Sequence, residues 1–155
     1  MELILWRHAD AEPAAPGQAD HERELTAKGR RQAAKMAAWL DRHLPANCRI
    51  LSSPALRCVH TAEALGRKFR CAEALGTASS AEAILELTGW PEASDTLMIV
   101  GHQPLLGQVA SLILAGQKQD WTLRKGQVLW LARRIKEEPD VYIRAAIGAD
   151  LAGVK

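Results

Sequence analysis

The sequence lacks the features that mark several common classes of protein. Its three cysteines, Cys48, Cys58 and Cys71, form no CxxC pair, so neither a zinc ribbon nor a disulfide framework is indicated, and a reduced, cytoplasmic protein is expected. The first apolar run, Leu3–Trp6, is too short for a signal peptide, and no later run is long enough to cross a bilayer. The formal net charge of +2 gives no reason to expect nucleic acid as a partner.

The composition is that of an ordinary globular protein. Hydrophobic residues make up 48% and charged residues 25% of the 155 residues, which is enough apolar material for a packed core. The chain has no internal repeat, no low-complexity segment and no linker rich in Pro, Gly or Ser. We therefore expect a single domain over residues 1–155.

Apolar runs and helical periodicities alternate along the chain. The runs Glu2–Trp6, Arg49–Ser52 and Thr96–Val100 predict strands, and each is followed by apolar residues at helical spacing. Thr26 is expected to cap the first helix, and Pro54 to occupy the first position of the second. Such an alternation predicts an α/β fold in which helices cover a mainly parallel sheet.

Two later segments give less regular patterns. Between the second and third strands the sequence predicts a short strand near Ala74–Leu75 and a helix over Ser80–Leu87. At the end of the chain, Gln127–Arg133 and Val141–Ile147 are predicted strands on either side of the polar turn Lys136–Asp140. Because their connection is short, these two strands should pair in antiparallel fashion and make the sheet mixed.

A polar cluster follows each of the three predicted parallel strands, namely Arg7-His8, Ser52–Arg57 and Gly101-His102. Since ligands bind outside the carboxyl ends of strands in open α/β sheets, the clusters should meet at one edge. Arginine presents a planar fork of donors to phosphate oxygens, and neighbouring arginines favour the neutral form of histidine, which can act as a nucleophile. A second histidine can donate a hydrogen bond to a phosphoryl oxygen. These arginines and histidines together predict a site for phosphate chemistry. The chain has no GxxxxGK[ST] motif, so a nucleotide-binding loop is not expected to hold the phosphate.

Four segments, in this order along the chain, resemble the histidine phosphatase (phosphoglycerate mutase-like) superfamily: Leu3–His8, Leu25–Ala33, Ser53–Ala62 and Val100–Pro104. The small size of the chain and its Leu-Thr-x-x-Gly segment are most similar to the SixA-type phosphohistidine phosphatase branch. The resemblance implies a three-layer sandwich with a mostly parallel central sheet and antiparallel strands at the C-terminal hairpin.

The resemblance also implies a role for each site residue. His8 would be the nucleophile that is transiently phosphorylated, and Arg7, Arg57 and His102 would hold the phosphoryl oxygens. The family works without a metal, so neither a metal nor another cofactor is expected. The branch implies phosphohistidine on a signalling or phosphotransfer protein as the substrate. Since no apolar run is long enough to cross a bilayer, no membrane partner is expected. The resemblance leaves the oligomeric state open, and a monomer would be compatible with it.

Two departures from the family pattern bear on activity. Ala9 stands where the family usually has glycine, which tolerates backbone conformations that alanine does not. No carboxylic acid that could protonate a leaving group lies in a recognisable motif. The candidates for that role are Asp20, Glu22, Glu24, Glu82 and Glu86. Because the P–N bond of phosphohistidine is intrinsically labile, a missing acid favours that substrate over stable phosphate monoesters.

Three alternative functions stay open at this point. A phosphatase of the same superfamily could act on a small phosphate monoester, although the short loops leave little chain to close a pocket. A non-catalytic phosphate-binding module would be consistent with Ala9 and the missing acid. A metallohydrolase could use His8, Asp10 and His102, although the helical HExxH spacing is absent.

Overall fold

The computed structural model describes residues 1–134 and 140–153. Within these ranges the strands are β1 (Glu2–Arg7), β2 (Arg49–Ser52), β3 (Arg70–Cys71), β4 (Thr96–Gly101), β5 (Val128–Arg134) and β6 (Asp140–Ile147). The α-helices are α1 (Ala27–His43), α2 (Leu56–Glu63), α3 (Ala81–Thr88) and α4 (Leu105–Ala115). The predicted turn Lys136–Asp140 lies, apart from Asp140, outside the described residues. None of the described helices has the length and apolar composition needed to span a bilayer.

The strands form one mixed sheet in the order β3-β2-β4-β1-β5-β6. β3, β2, β4 and β1 are parallel neighbours. β5 runs antiparallel to β1, and β6 runs antiparallel to β5. This arrangement confirms the predicted α/β fold with a mostly parallel sheet and an antiparallel pair at the C-terminal end.

Helices cover both faces of the sheet, which explains why the central strands are apolar throughout. In β1, Ile4 and Trp6 belong to a core cluster that also contains residues of α1 and α2. Leu3 and Leu5 belong to a second cluster with residues of α3 and α4. Successive side chains of a strand point to opposite faces, so a strand buried on both sides needs apolar residues at every position. The result is the expected three-layer sandwich.

Two local predictions are wrong. The predicted strand at Ala74–Leu75 is a 3-10 helix over Glu73–Leu75, and the strand lies earlier, at Arg70–Cys71. Both residues of that edge strand are exposed, so no apolar run could have indicated it. Pro54 does not begin α2, because Ala55 is the N-cap and the helix starts one residue after it.

The predicted cap of α1 is confirmed, and it fixes the path of the chain leaving β1. The Thr26 hydroxyl accepts a hydrogen bond from the Gly29 N–H at 2.9 Å. The Thr26 N–H donates to the Asp10 carbonyl at 3.0 Å. A Cβ atom at Gly29 would lie only 2.0 Å from that carbonyl oxygen. The Leu-Thr-x-x-Gly segment therefore allows the backbone just after His8 to pass directly over the start of α1.

Candidate active site

The carboxyl ends of β2, β4 and β1 lie side by side, and this brings the three polar clusters together as predicted. Arg7 is opposite Gly101 in the β1–β4 register. The His8 N–H donates to the Gly101 carbonyl at 3.1 Å, and the Ser53 N–H donates to the Val100 carbonyl at 2.9 Å. Main-chain hydrogen bonds thus tie the first residue beyond β1 and the first residue beyond β2 to β4.

The four residues predicted from the sequence meet in a largely buried group. His8, Arg57 and His102 are 7%, 3% and 3% exposed, respectively, and Arg7 is half-buried. The ring centroids of His8 and His102 lie 5.4 Å apart, and Arg57 Nη2 lies 3.4 Å from His102 Nδ1. Arg7 is near enough for its charge to lower the pKa of both histidines.

His8 has a defined tautomer. Its Nδ1 lies 2.7 Å from the Ala9 carbonyl oxygen, which can only accept, so Nδ1 carries the hydrogen and Nε2 keeps its lone pair. Burial, and then the charges of His102, Arg57 and Arg7, lower the pKa of His8 to about 3, against the opposing hydrogen bond to Ala9. The arginines favour the neutral ring as predicted, but burial is the larger cause.

His102 is held by two side chains to which sequence analysis gave no role. Its Nε2 lies 2.8 Å from Ser53 Oγ and 3.5 Å from Cys58 Sγ. Because the Arg57 guanidinium can only donate to Nδ1, the neutral ring carries its hydrogen on Nε2 and donates it to Ser53. Burial, followed by the charge of Arg57, lowers the pKa of His102 to about 4. The signal for Ser53 was its position directly after a strand, in the same cluster as Arg57.

The segment before β5 fixes Arg7 and His8, and no sequence motif indicated it. Arg7 Nη1 donates to the Leu123 carbonyl at 2.9 Å. The Gly126 N–H lies 3.1 Å from the Arg7 carbonyl oxygen and 3.0 Å from that of His8. Gly126 has φ +75°, a conformation that glycine adopts without steric cost. These contacts join residues more than a hundred positions apart, with a separation of 116 for Arg7 and Leu123.

Ala9 fits its position without backbone strain. Among the described residues, every positive φ belongs to a glycine, so Ala9 has a conformation open to any L-residue. Its side chain is fully buried, and its N–H donates to Thr61 Oγ1 at 3.1 Å. The substitution for glycine therefore leaves the backbone beside His8 in an ordinary conformation.

The candidate acids are all exposed, and two of them pair with basic side chains. Asp20 forms an ion pair with Arg57, with 3.0 Å between Oδ2 and Nη2. Partial burial raises the pKa of Asp20, but hydrogen bonds and charges from Arg57 and Arg23 outweigh it and the pKa is lowered. Glu82 is exposed and pairs with Lys118 at 2.8 Å. The remaining candidates are all exposed: Glu22, Glu24 and Glu86.

The three residues considered for a metal do not converge. One Asp10 carboxylate oxygen accepts from Lys125 Nζ at 2.8 Å, and the other accepts from Thr26 Oγ1 at 2.8 Å. Both oxygens of Asp10 are therefore engaged away from His8 and His102. Across residues 1–134 and 140–153, no group of three or more His, Cys, Asp or Glu side chains could hold a metal ion.

A groove of about 590 Å³ borders the group of four residues. Its lining includes Ser53 and Asp20, which contact His102 and Arg57. It also includes residues of the segment that follows the 3-10 helix at Glu73–Leu75, among them Gly76 and Ser79. The groove therefore lies next to the four residues, which do not themselves line it.

Comparison with known proteins shows the family to which the chain belongs. Residues 3–75 match the model of the histidine phosphatase superfamily (branch 1). The chain is 35% identical to an uncharacterized protein of Picosynechococcus sp., over 90% of this chain and 92% of the relative. It is 31% identical to the phosphohistidine phosphatase SixA homolog of Haemophilus influenzae, over 72% of this chain and 76% of the relative. The structure of the protein histidine phosphatase SixA complexed with tungstate shares the fold, with a TM-score of 0.75, 21% identity and coverage of 97% and 99% of the two chains. The chain therefore belongs to the histidine phosphatase superfamily, as an enzyme of its SixA-type branch.

Proposed function

We propose that the chain is a metal-independent phosphatase that removes the phosphoryl group from phosphohistidine on a signalling or phosphotransfer protein, through a phosphorylated His8. The observation that carries this proposal is the hydrogen bond between His8 Nδ1 and the Ala9 carbonyl oxygen at 2.7 Å. This hydrogen bond leaves the Nε2 lone pair of a neutral, buried imidazole free, beside His102 and two arginines. A histidine needs such a free lone pair to attack phosphorus as a nucleophile.

The reaction takes place in two steps. His8 Nε2 attacks phosphorus, forming a new P–N bond while the P–N bond of the substrate breaks, and the departing imidazole takes up a proton from solvent water. A water molecule then attacks the phosphorylated His8, forming a P–O bond while the His8 P–N bond breaks. This water gives one proton back to solvent, His8 returns to the neutral form, and inorganic phosphate leaves. Arg7 and Arg57 hold the phosphoryl oxygens with charge-assisted hydrogen bonds. The arriving dianion raises the pKa of His102, so that His102 also binds a phosphoryl oxygen as a donor.

Two observations support phosphohistidine as the substrate class. The carboxylate next to the site, that of Asp20, pairs with Arg57 and has a lowered pKa, so it is a poor proton donor for a leaving alkoxide. A phosphoramidate needs less help, because its leaving imidazole is a weak base. The Haemophilus influenzae relative carries the name of a phosphohistidine phosphatase, and we extend that substrate class to this chain.

The test follows phosphate release from a phosphohistidine-labelled phosphotransfer protein, in the presence of chelator. Wild type, His8→Asn and His43→Asn are compared, with p-nitrophenyl phosphate as a parallel monoester substrate. His43 is the matched control because it is exposed and lies at the end of α1, outside the lining of the groove. We expect wild type and His43→Asn to release phosphate from the protein substrate, and His8→Asn to be inactive.

Other results would change the assignment. Preference for the monoester would favour a small-molecule phosphatase of the same superfamily. Phosphate binding without turnover of either substrate would favour a non-catalytic binding module. Activity that chelator abolishes and a divalent metal restores would contradict metal independence. An active His8→Asn variant would contradict the role of His8 as nucleophile.

A further inference from the structure

Asp20 accepts two hydrogen bonds from the buried guanidinium of Arg57. Its carbonyl oxygen accepts from Nη1 at 3.0 Å, and its Oδ2 accepts from Nη2 at 3.0 Å. The side chain of Arg57 is only 4% exposed, whereas that of Asp20 is 60% exposed. A residue of the exposed loop after β1 thus reaches into the site and binds one of its two arginines.

The two hydrogen bonds with Asp20 occupy one edge of the Arg57 guanidinium and leave its second edge without a bond to Asp20. Asp20 occupies the edge formed by Nη1 and Nη2. The second edge is formed by Nε and Nη2, and there Nη2 lies 3.4 Å from His102 Nδ1. Arg57 Nε has no hydrogen-bond partner among the described residues. Since a guanidinium has five N–H donors in a rigid plane, fixing one edge also fixes the direction of the other.

Asp20 is itself held in place by a second arginine. Its Oδ1 accepts from Arg23 Nε at 3.0 Å, so its two carboxylate oxygens serve two different guanidinium groups. Arg23 Nη1 donates to the Glu12 carbonyl at 3.0 Å, and the Glu12 N–H donates to the Glu24 carbonyl at 2.8 Å. The loop is therefore closed at its base, and its tip is tied to the site through Asp20.

We propose that Asp20 is a positioning residue, which orients Arg57 so that the free edge of its guanidinium meets the phosphoryl group beside His102. The inference rests on the proposed function, since it assigns Arg57 to phosphoryl binding. A long arginine side chain loses much conformational freedom when it binds an anion, and ordering it beforehand removes that cost from substrate binding. Asp20 thereby takes a role other than general acid.

A competing role for Asp20 would change anion binding in the opposite direction. If the Asp20 carboxylate stood where a phosphoryl oxygen must bind, it would compete with the anion, and its removal would tighten anion binding. If Asp20 positions Arg57, its removal weakens anion binding. The inhibition constant for inorganic phosphate therefore separates the two, and it can be measured as a dissociation constant even for a protein without turnover.

Two substitutions of Asp20 separate the effect of its side-chain hydrogen bonds from the effect of its negative charge. Asp20→Ala removes the side-chain contacts with Arg57 and Arg23, whereas Asp20→Asn keeps an acceptor oxygen and loses the charge. Glu22→Ala and Glu22→Gln are the matched controls on the same turn, because the Glu22 carboxylate is exposed and lies beside His21, 3.9 Å away. For Asp20→Ala we expect phosphate to bind about tenfold more weakly and kcat/KM to fall about ten- to hundredfold, with Asp20→Asn in between. The Glu22 variants should match wild type.

A spectroscopic measurement tests whether the Asp20 carboxylate acts on the His102 ring. The charge of Asp20 raises the pKa of His102, so NMR titration of the His102 ring should show a lower pKa in Asp20→Asn, with no change in Glu22→Gln. Tighter phosphate binding by Asp20→Ala, or constants for both Asp20 variants equal to those of wild type, would overturn the proposal. If Asp20→Ala fails to fold, Asp20→Asn supplies both readouts. If wild type turns over no substrate, the proposed function fails, while phosphate binding still decides the role of Asp20.

Discussion

The two buried histidines should make the stability of the folded protein fall as the pH is lowered from 7 to 5. Burial is the main reason that the pKa of His8 is about 3 and that of His102 about 4 in the folded protein. In the unfolded chain both rings titrate near about 6.5. Between these values the unfolded state binds protons that the folded state does not, so acidification favours unfolding.

The size of the effect follows from linkage. At pH 5 an exposed imidazole is almost fully protonated, while both buried rings remain almost fully neutral, so unfolding takes up about two protons. Integrated from pH 7 to pH 5, each histidine lowers the free energy of unfolding by about 2 kcal/mol, or about 4 kcal/mol for the pair. The low pKa values of Asp10 and Asp20 place their titration below this window. A loss of this size is a large fraction of the stability of an ordinary domain.

Urea unfolding at pH 5, 6 and 7, followed by the fluorescence of the five tryptophans, measures this dependence. We expect the free energy of unfolding to fall by about 4 kcal/mol from pH 7 to pH 5 in wild type and by about 2 kcal/mol in His8→Asn. The control variant His21→Asn, which changes an exposed histidine, should show the same dependence of the free energy of unfolding on pH as wild type. A flat profile in wild type, or an unchanged slope in His8→Asn, would refute the claim that these rings are buried in the neutral form.

Two further substitutions test the contacts that hold the site. Gly29→Ala places a Cβ atom 2.0 Å from the Asp10 carbonyl oxygen, so we expect a loss of about 1–3 kcal/mol in urea unfolding. A gain of about 1 kcal/mol, as alanine gives in an uncrowded helix, would show that this contact is absent. Ser53→Ala removes the 2.8 Å partner of His102 Nε2, and we expect kcat to fall about tenfold with the unfolding midpoint changed far less. An unchanged kcat would mean that Ser53 does not orient His102.

The fold and the convergence of the site were predictable because both depend on local patterns. β1 and β4 are buried on both faces, so their residues form continuous apolar runs that a sequence displays directly. Parallel strands place their carboxyl ends at one edge, so the position of Arg7, His8 and His102 follows from topology alone. No comparable pattern existed for β3, whose two residues are exposed.

The contacts that orient the site residues could not be predicted, because they join distant parts of the chain through single hydrogen bonds. Arg7 donates to the carbonyl of Leu123, a group that every residue type possesses. Asp20 was recognised only as one of several carboxylates in a polar loop, and nothing in the sequence paired it with Arg57. Such pairings depend on the path of the loop, which hydrophobic periodicity does not determine.

Position 9 and position 29 show why a departure from a family pattern must be judged by the space around it. A glycine that lies against another backbone cannot be replaced without moving that backbone, and Gly29 is such a residue, since its Cβ would meet the Asp10 carbonyl. Ala9 already has a buried Cβ, an ordinary φ and an N–H bonded to Thr61. The chain thus keeps glycine where packing requires it and departs from the pattern where the backbone permits another residue. Alanine at position 9 therefore gives no structural reason to prefer a non-catalytic phosphate-binding module to a phosphatase.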